Sequence, residues 1–341
     1  MKIAIDAHGG DYAPDEILKG CALALEKYPD VELVIAGDRQ IVQDALHSLD
    51  ADCSRIEARH TTQLIGMAES PVAAIKGKKD SSMVKALQAV AQGEADAFVS
   101  AGNTGAVLAG ATMIVRRIRG VKRPALAPLL PTSKGTPVML IDCGANVECK
   151  PEHLAQFGVI GSIYMARVMG VESPRVGLIN NGAEAEKGND LTKAAYRLLE
   201  NMPVNFVGNI EARDINTGAI DVAVCDGFVG NVALKLTEGL ASSLFAMMKE
   251  EFAASMRSKL GAMLLKPAFK QIKKKMDYTE YGGALFLGVN GGVVKAHGSS
   301  NAKAIAAAIN QAREMVLSDV VGVIRTGISE LAPEDLTDGE Q

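Results

Sequence analysis

Short, uniformly apolar runs alternate with longer amphipathic stretches along most of the 341 residues, and this alternation leaves few folds open. Runs at 3–5, 31–35 and 97–100 are followed by helical patterns over 15–27, 39–49 and 105–119. Further runs at 138–141, 175–179 and 222–225 are each followed by helical patterns, over 151–169, 190–201 and 231–254. Such alternation reads as a series of βαβ units. The runs are apolar at successive positions rather than at every second one, as strands covered by helices on both faces require. The pattern predicts an α/β fold, a doubly wound and mostly parallel sheet in a Rossmann-like three-layer arrangement. No long polar or Pro-rich linker interrupts it and no internal repeat is visible, so one continuous body over 1–341 is expected.

The chain is 48% hydrophobic with no Trp, which excludes disorder and collagen and implies a core of small aliphatic side chains. Lys and Arg total 36 against 40 Asp and Glu, a net charge of −4 that gives no argument for nucleic-acid binding. An anionic partner must therefore meet a local basic patch. The five cysteines, Cys21, Cys53, Cys143, Cys149 and Cys225, are scattered and form no CxxC pair, so neither disulfides nor a metal site are expected. The strand pattern begins at residue 3, leaving no place for a signal peptide, and no uncharged apolar run nears the roughly 20 residues of a membrane span. A cytoplasmic chain, at most peripheral to a membrane, is expected.

One segment departs from the alternation. Residues 255–277 carry seven cations, Arg257, Lys259, Lys266, Lys270, Lys273, Lys274 and Lys275, against the single anion Asp277, a local charge of +6. Leu260, Met263, Leu264, Leu265, Phe269, Ile272 and Met276 are interleaved with them, and Gly261 and Pro267 interrupt helix continuity. The pattern predicts an amphipathic helical hairpin over 250–277, two helices meeting at an apolar tip. Such a hairpin could pack on its own body or a second subunit, lie on anionic lipid, or dock an acidic protein. Leu260, Met263, Leu264, Leu265, Lys266 and Lys270 are its candidate contact residues.

The usual nucleotide and hydrolase signatures, GxGxxG, GxxxxGK[ST], GxSxG and HExxH, are absent. What recurs is a Gly-rich turn after a predicted strand, where open α/β sheets place their ligands. The first turn holds Asp6, Gly9, Gly10 and Asp11, with His8 as an ordinary loop histidine. The second, Ser100, Gly102, Asn103, Thr104 and Gly105, opens a helix and forms a candidate phosphate cradle of backbone N–H groups and hydroxyls. An ordinary Asn/Thr helix cap would use the same residues. Asp142 and Asn146 lie in a third turn, and Lys187 in a fourth, where a cation could neutralise phosphate or a developing oxyanion. Asp226 and Asn231 lie in a fifth, opening a helix that bears Lys235 and Glu238. A sixth, from Gly291 through Lys295, His297 and Gly298, ends another apolar stretch and could contribute cations. The charges of Lys235, Glu238 and Lys295 read as well as ordinary helix or loop residues. No Ser/His or Cys/His pair is signalled by spacing, which favours chemistry whose nucleophile is a bound substrate such as inorganic phosphate.

Eight blocks carry a resemblance: DAHGGDYAPDEILKG, ESPVAAIKGKKDSSM, SAGNTGAVLAGA, RPALAPLLP, IDCGANVECKPEHLAQF, GLINNGAEAEKGN, CDGFVGNVALKLTEG and YGGALFLGVNGGVVKAHGSS. In this order, over about 1–330, the chain resembles the bacterial phosphate acyltransferases that use acyl-acyl carrier protein. His8 departs from the family pattern, which more often has Met there, and 332–341 match nothing and are expected to be a disordered tail.

The resemblance implies a fold similar to the phosphotransacetylase and isopropylmalate dehydrogenase group. It implies acyl transfer from acyl-acyl carrier protein to orthophosphate, giving acyl phosphate for phospholipid synthesis, with no metal or cofactor. It further implies a homodimer, a peripheral membrane surface and, as a further partner, the membrane glycerol-phosphate acyltransferase. Carried onto this chain, Ser100, Gly102, Asn103, Thr104 and Gly105 bind phosphate, while Lys187 neutralises phosphate or oxyanion and Asn231 orients the thioester carbonyl. Asp6, Gly9, Gly10, Asp11, Asp142, Asn146 and Asp226 hold the loops or position Lys187. The competing readings are a coenzyme A-dependent transfer, a decarboxylating dehydrogenase-like enzyme, and a covalent route through Cys143 or Cys225.

Overall fold

The structure, a computed structural model, describes residues 1–49, 52–276 and 282–331. The first half runs β1 (Lys2–Asp6), α1 (Asp15–Lys27), β2 (Glu32–Gly37), α2 (Arg39–Ser48), β3 (Ile56–His60), α3 (Pro71–Gly77), α4 (Ser82–Ala91), β4 (Ala97–Ser100) and α5 (Thr104–Gly110). The middle follows with β5 (Ala125–Ala127), β6 (Leu129–Leu130), β7 (Val138–Ile141), α6 (Pro151–Arg167), β8 (Arg175–Ile179), α7 (Asp190–Asn201), β9 (Asn205–Ile210) and β10 (Val222–Val224). Two long helices, α8 (Gly227–Ala253) and α9 (Met256–Met276), precede β11 (Ala284–Leu287), β12 (Gly292–Lys295), α10 (Ala302–Leu317) and α11 (Val320–Ser329).

The strands form two sheets, ordered β3-β2-β1-β4-β12-β11-β5 and β6-β7-β10-β8-β9. Pairing is parallel except around β11, antiparallel to both β12 and β5, and between β6 and β7. The mostly parallel α/β class expected from the alternation is present, distributed over two sheets. The chain crosses between them at Pro128, with β5 paired into one sheet and β6 into the other. The short prolyl join brings the C-terminal edges of both sheets to one place.

Successive residues of one strand enter different cores, which is why the runs are apolar throughout. Ile3, Ile5, Val99 and Val294 pack with α1 and α10, whereas Ala4, Phe98 and Val293 pack with α4 and α5. Both faces of the sheet are thus dry, and each large aliphatic removed from water contributes on the order of 1.5–3 kcal/mol. The helical pattern over 105–119 ends sooner than the sequence suggests. A π-turn over Ala111–Val115 continues α5, and Arg116, with φ of 69°, terminates it.

The hairpin also differs from its expected form. Gly261 and Pro267 do not divide α9; the turn lies at 254–255, and the first arm is the whole of α8. At about 1.5 Å per residue, α8 is roughly 40 Å long, and only Gly227 and Gly230 in its first turn are buried. The arms pack through Phe252 and Phe269, with ring centroids 4.9 Å apart. Asp277 and the segment 332–341 lie outside the described residues.

Candidate active site

Register across the larger sheet aligns three polar side chains. Lys295 is opposite Ser100, and the pairing of Ile5 with Val99 puts Asp6 beside Ser100. Each lies two residues beyond Ala4, Phe98 or Val293, so all three share the face toward α4 and α5. Ser100 Oγ donates to Asp6 Oδ2 at 2.7 Å and accepts the Gly102 N–H at 2.9 Å, while Ser82 Oγ donates to Asp6 Oδ1 at 2.5 Å. Burial pushes the Asp6 carboxyl up, and the two hydroxyls oppose that shift. Gly9 is required beside this network, because a Cβ there would stand 2.8 Å from Ser100 Oγ and 2.7 Å from Gly102 N. The Asp11 N–H donates to Gly298 O at 2.8 Å, and Gly10, with φ of 119°, allows that path.

The next loop is also pinned from within. Asn103 caps α5 by accepting the Ala106 N–H at 3.0 Å, and its amide donates to Met67 O at 2.8 Å and Glu69 O at 3.1 Å. The Ser100 hydroxyl and the Asn103 amide, expected as phosphate ligands, are therefore spent inside the protein; Ser100 is 1% exposed. The Thr104 and Gly105 N–H groups stay without a partner among the described residues, and Thr104 is exposed. An anion at this helix start would be met by backbone amides.

On the smaller sheet, Asp142 gathers the N–H groups of Leu126, Ala145 and Asn146 at 2.9, 3.2 and 2.7 Å, and the Asn146 side-chain amide at 3.0 Å. Burial raises its pKa, and these bonds oppose the shift. Asp226 caps α8, accepting the Phe228 and Val229 N–H groups at 2.9 Å each. Residues 227–230, read from the sequence as loop, are the first turn of this helix. The turn lies against the loop after β7: the Gly227 N–H donates to Asn146 O at 2.8 Å, and a Cβ on Gly230 would overlap the Asp142 carbonyl oxygen. The next residue, Asn231, is exposed.

These loops enclose a cavity of ≈ 340 Å³ between the two sheets. Thr104, Gly144, Asn231, Lys235, Lys295 and His297 line it, with Leu126, Leu129, Phe228 and Leu234 as apolar wall. Lys235 pairs with Glu238 at 2.7 Å. Nδ1 of His297 accepts the Ser299 N–H at 3.2 Å, so the neutral ring carries its proton on Nε2. Burial lowers the His297 pKa. Lys295 is 6% exposed and is the one buried Lys or Arg among the described residues. Burial brings its pKa down to about 8; Asp6 and Asp11 oppose the shift and Lys235 adds to it. Its ammonium donates to Ala296 O.

Of the expected functional side chains, Asn231 and Thr104 line this cavity and Lys187 does not. Lys187 is exposed on the loop after β8, whose turn is closed by Asn180 Nδ2 donating to Lys187 O at 3.1 Å. Cys143 touches the cavity and Cys225 is buried beside Gly230, and burial holds both thiols neutral, pushing their pKa values well above the usual range. That disfavours a covalent route, because the thiolate is the nucleophile. Lys295 and His297, which the sequence offered as possible cations of the sixth turn, both line the cavity.

Residues 1–322 match the family model described as fatty acid synthesis protein. The chain is 50% identical over 336 residues to the phosphate acyltransferase of Clostridium botulinum strain Loch Maree, covering 98% of this chain and 100% of that one. It is 50% identical over 330 residues to the phosphate acyltransferase of Clostridium novyi, covering 97% and 99%. Among solved structures, phosphotransacetylases from Staphylococcus aureus and Streptococcus pyogenes share its fold, with TM-scores of 0.59 and 0.60. Their sequence identities are 17% and 16%, over 97% and 93% of this chain and 94% of each of theirs. A 4-hydroxythreonine-4-phosphate dehydrogenase from Klebsiella pneumoniae aligns with TM-score 0.53 at 15% identity, over 93% of this chain and 99% of its own. The two-sheet fold is thus shared among distant enzymes, whereas identity at the 50% level runs along nearly the whole chain, and on that ground the chain belongs to the phosphate acyltransferase family of acyltransferases.

Proposed function

We propose that the protein transfers a fatty acyl group from the thioester of acyl-acyl carrier protein to orthophosphate, releasing acyl phosphate for glycerolipid synthesis. One observation carries the reading: the cavity is polar at the strand ends and opens onto an apolar helix. Phe228, in the cavity wall, begins a row continued by Val232, Leu236, Leu240 and Leu244 along α8, all exposed. A phosphate at the polar end and an acyl chain leaving along α8 would put the thioester carbon between them.

Phosphate held against the Thr104 and Gly105 N–H groups attacks that carbon through one oxygen. The tetrahedral oxyanion forms, collapses and expels the carrier thiol, so the new C–O bond replaces the C–S bond. Holding both reactants in line supplies much of the rate, with up to about 7–11 kcal/mol available from positioning. Asn231 donates its amide to the developing oxyanion. Lys187, exposed on the loop after β8, neutralises charge as the carrier arrives. Asp6, Asp11, Asp142, Asn146 and Asp226 hold the loops.

The hairpin delivers the insoluble product. Leu260, Met263, Leu264 and Leu265 are exposed on α9, Leu264 at 76%, flanked by the exposed Lys266 and Lys270. An apolar patch ringed by cations suits an anionic bilayer surface, which places the enzyme peripherally on the membrane, beside the membrane acyltransferase that consumes its product. No described helix is long and apolar enough to cross a membrane. The remaining apolar face of α8 and α9 pairs with a second copy in a homodimer. Acyl-acyl carrier protein mixed with labelled phosphate is expected to release free thiol only when phosphate is present, with label in acyl phosphate. Thiol release without phosphate, or transfer only from acyl-coenzyme A, refutes the reading.

A further inference from the structure

Lys295 is placed unlike any other cation of the described chain. It ends a strand in the middle of the larger sheet, on the face shared with Asp6 and Ser100, and it is buried while lining the cavity. Its only hydrogen bond is to the neighbouring Ala296 carbonyl, and it forms no ion pair among the described residues. Asp6 forms no contact ion pair with it among the described residues; its two oxygens accept the Ser82 and Ser100 hydroxyls, and it acts on Lys295 only at a distance. A buried ammonium with one carbonyl partner is undersolvated, and an arriving anion would supply what it lacks.

We infer that Lys295 is the cation that receives the phosphate, and that binding a phosphate dianion in this cavity takes up a proton onto its amine. The inference rests on the phosphate-acceptor reading above. The charged and titratable groups facing this amine are Asp6 and Asp11 from the loop after β1, Lys235 and Glu238 from α8, and His297 just beyond its own strand. β4, β11 and α5 contribute only Ser100, Ala284 and Thr104 there, none of them charged. With burial as the largest influence, Lys295 is brought down to a pKa of about 8. The neutral amine is thus accessible at mildly alkaline pH, and a bound dianion draws the proton back.

The test is calorimetric titration with inorganic phosphate alone, between about pH 7.5 and 9.5, in buffers of different ionisation enthalpy. Wild-type protein is expected to take up close to one proton at the alkaline end and to lose about tenfold in affinity per pH unit above the Lys295 pKa. Lys295→Arg, always charged, is expected to bind without proton uptake and without that slope. Lys295→Met is expected to lose at least about tenfold in affinity and all of the slope, while its melting temperature stays level or rises because a buried charge has gone. Equal phosphate affinity and equal proton uptake in wild type and Lys295→Met, absence of binding to both included, overturns the inference. Failure of the wild type to form acyl phosphate in the labelled-phosphate assay instead overturns the functional reading, so the two failures are distinct.

Discussion

Substituting Gly230 by alanine asks whether the close contact between α8 and the loop after β7 sets the geometry of Asn231. A Cβ at 230 would overlap the Asp142 carbonyl oxygen and come within 2.9 Å of both Asp142 C and Cys225 Sγ. Carbon contacts relax near 3.5–4.0 Å and the Asp142 oxygen is nearer than the other two atoms, so helix and loop must separate by more than about 1 Å. Overpacking of this kind typically costs about 1–3 kcal/mol. Both neighbours resist: Asp142 is held by four hydrogen bonds of its own, and the helix start is fixed by the Asp226 cap. A displacement of that size at a reacting centre costs on the order of 10²-fold in rate. Gly239, further along the same helix, has nothing within 4 Å of its Cβ position. Gly239→Ala is therefore expected to stabilise by up to about 1 kcal/mol through helix propensity and leave turnover unchanged. Thermal unfolding and turnover of soluble acyl-acyl carrier protein are measured for both variants side by side. Gly230→Ala enzyme with wild-type melting temperature and turnover would refute the reasoning that this contact positions Asn231.

Four other expectations follow from individual groups. Asn231→Ala, at an exposed side chain, is expected to lower kcat by about 10²-fold with little change in melting temperature, and Lys187→Ala to lower it at saturating phosphate; near-normal turnover removes either residue from the mechanism. Leu264→Glu is expected to abolish co-sedimentation with anionic vesicles while soluble-substrate turnover persists; unchanged vesicle binding rejects the membrane role of the tip. Asp221 is buried, which alone would raise its pKa, but the Arg175 fork at 2.9 and 3.0 Å and the Arg175 N–H at 2.8 Å hold it below the usual aspartate value. Its contribution is complete above the unfolded pKa and is lost as pH falls through the folded one. Asp221→Asn should thus lose about 1–3 kcal/mol near neutrality and flatten the acid limb of stability, and denaturation matching wild type both near neutrality and in acid would contradict this.

The legible part of the fold is the part whose two periodicities are undisturbed. Strands 97–100, 138–141 and 175–179 and helices 15–27 and 190–201 have the bounds that the sequence suggests, because dry faces on both sides leave continuous apolar runs. β3 escaped notice because it is an edge strand, IEARH, with charged residues at alternate positions. β5 and β6 are three and two residues long on either side of Pro128, too short to show a period, yet they decide that there are two sheets. Residues 227–230 look like a loop because Gly disfavours helix, but here the glycines are what lets a helix start touch the 142–146 backbone. Tertiary contact overrides propensity at that point.

The site was harder to read, for a reason that lies in the chemistry of small polar side chains. Ser and Asn beside a Gly-rich turn can face a ligand or hold their own loop, and sequence does not distinguish the two. At Ser100 and Asn103 the second use prevails, which leaves backbone N–H groups, rather than hydroxyl and amide, as the groups available to an anion. Lys295 carried the opposite signal. It closes an apolar strand, GVVK, on the same face as buried Val293, and the strand's uniform apolarity already meant that both its faces were covered. A lone cation at the end of such a strand can fall on a covered face or reach water, and the structure shows the first, with Lys295 buried. Pairing register then adds what composition cannot, by setting that cation in one row with Asp6 and Ser100 from segments far apart in the chain.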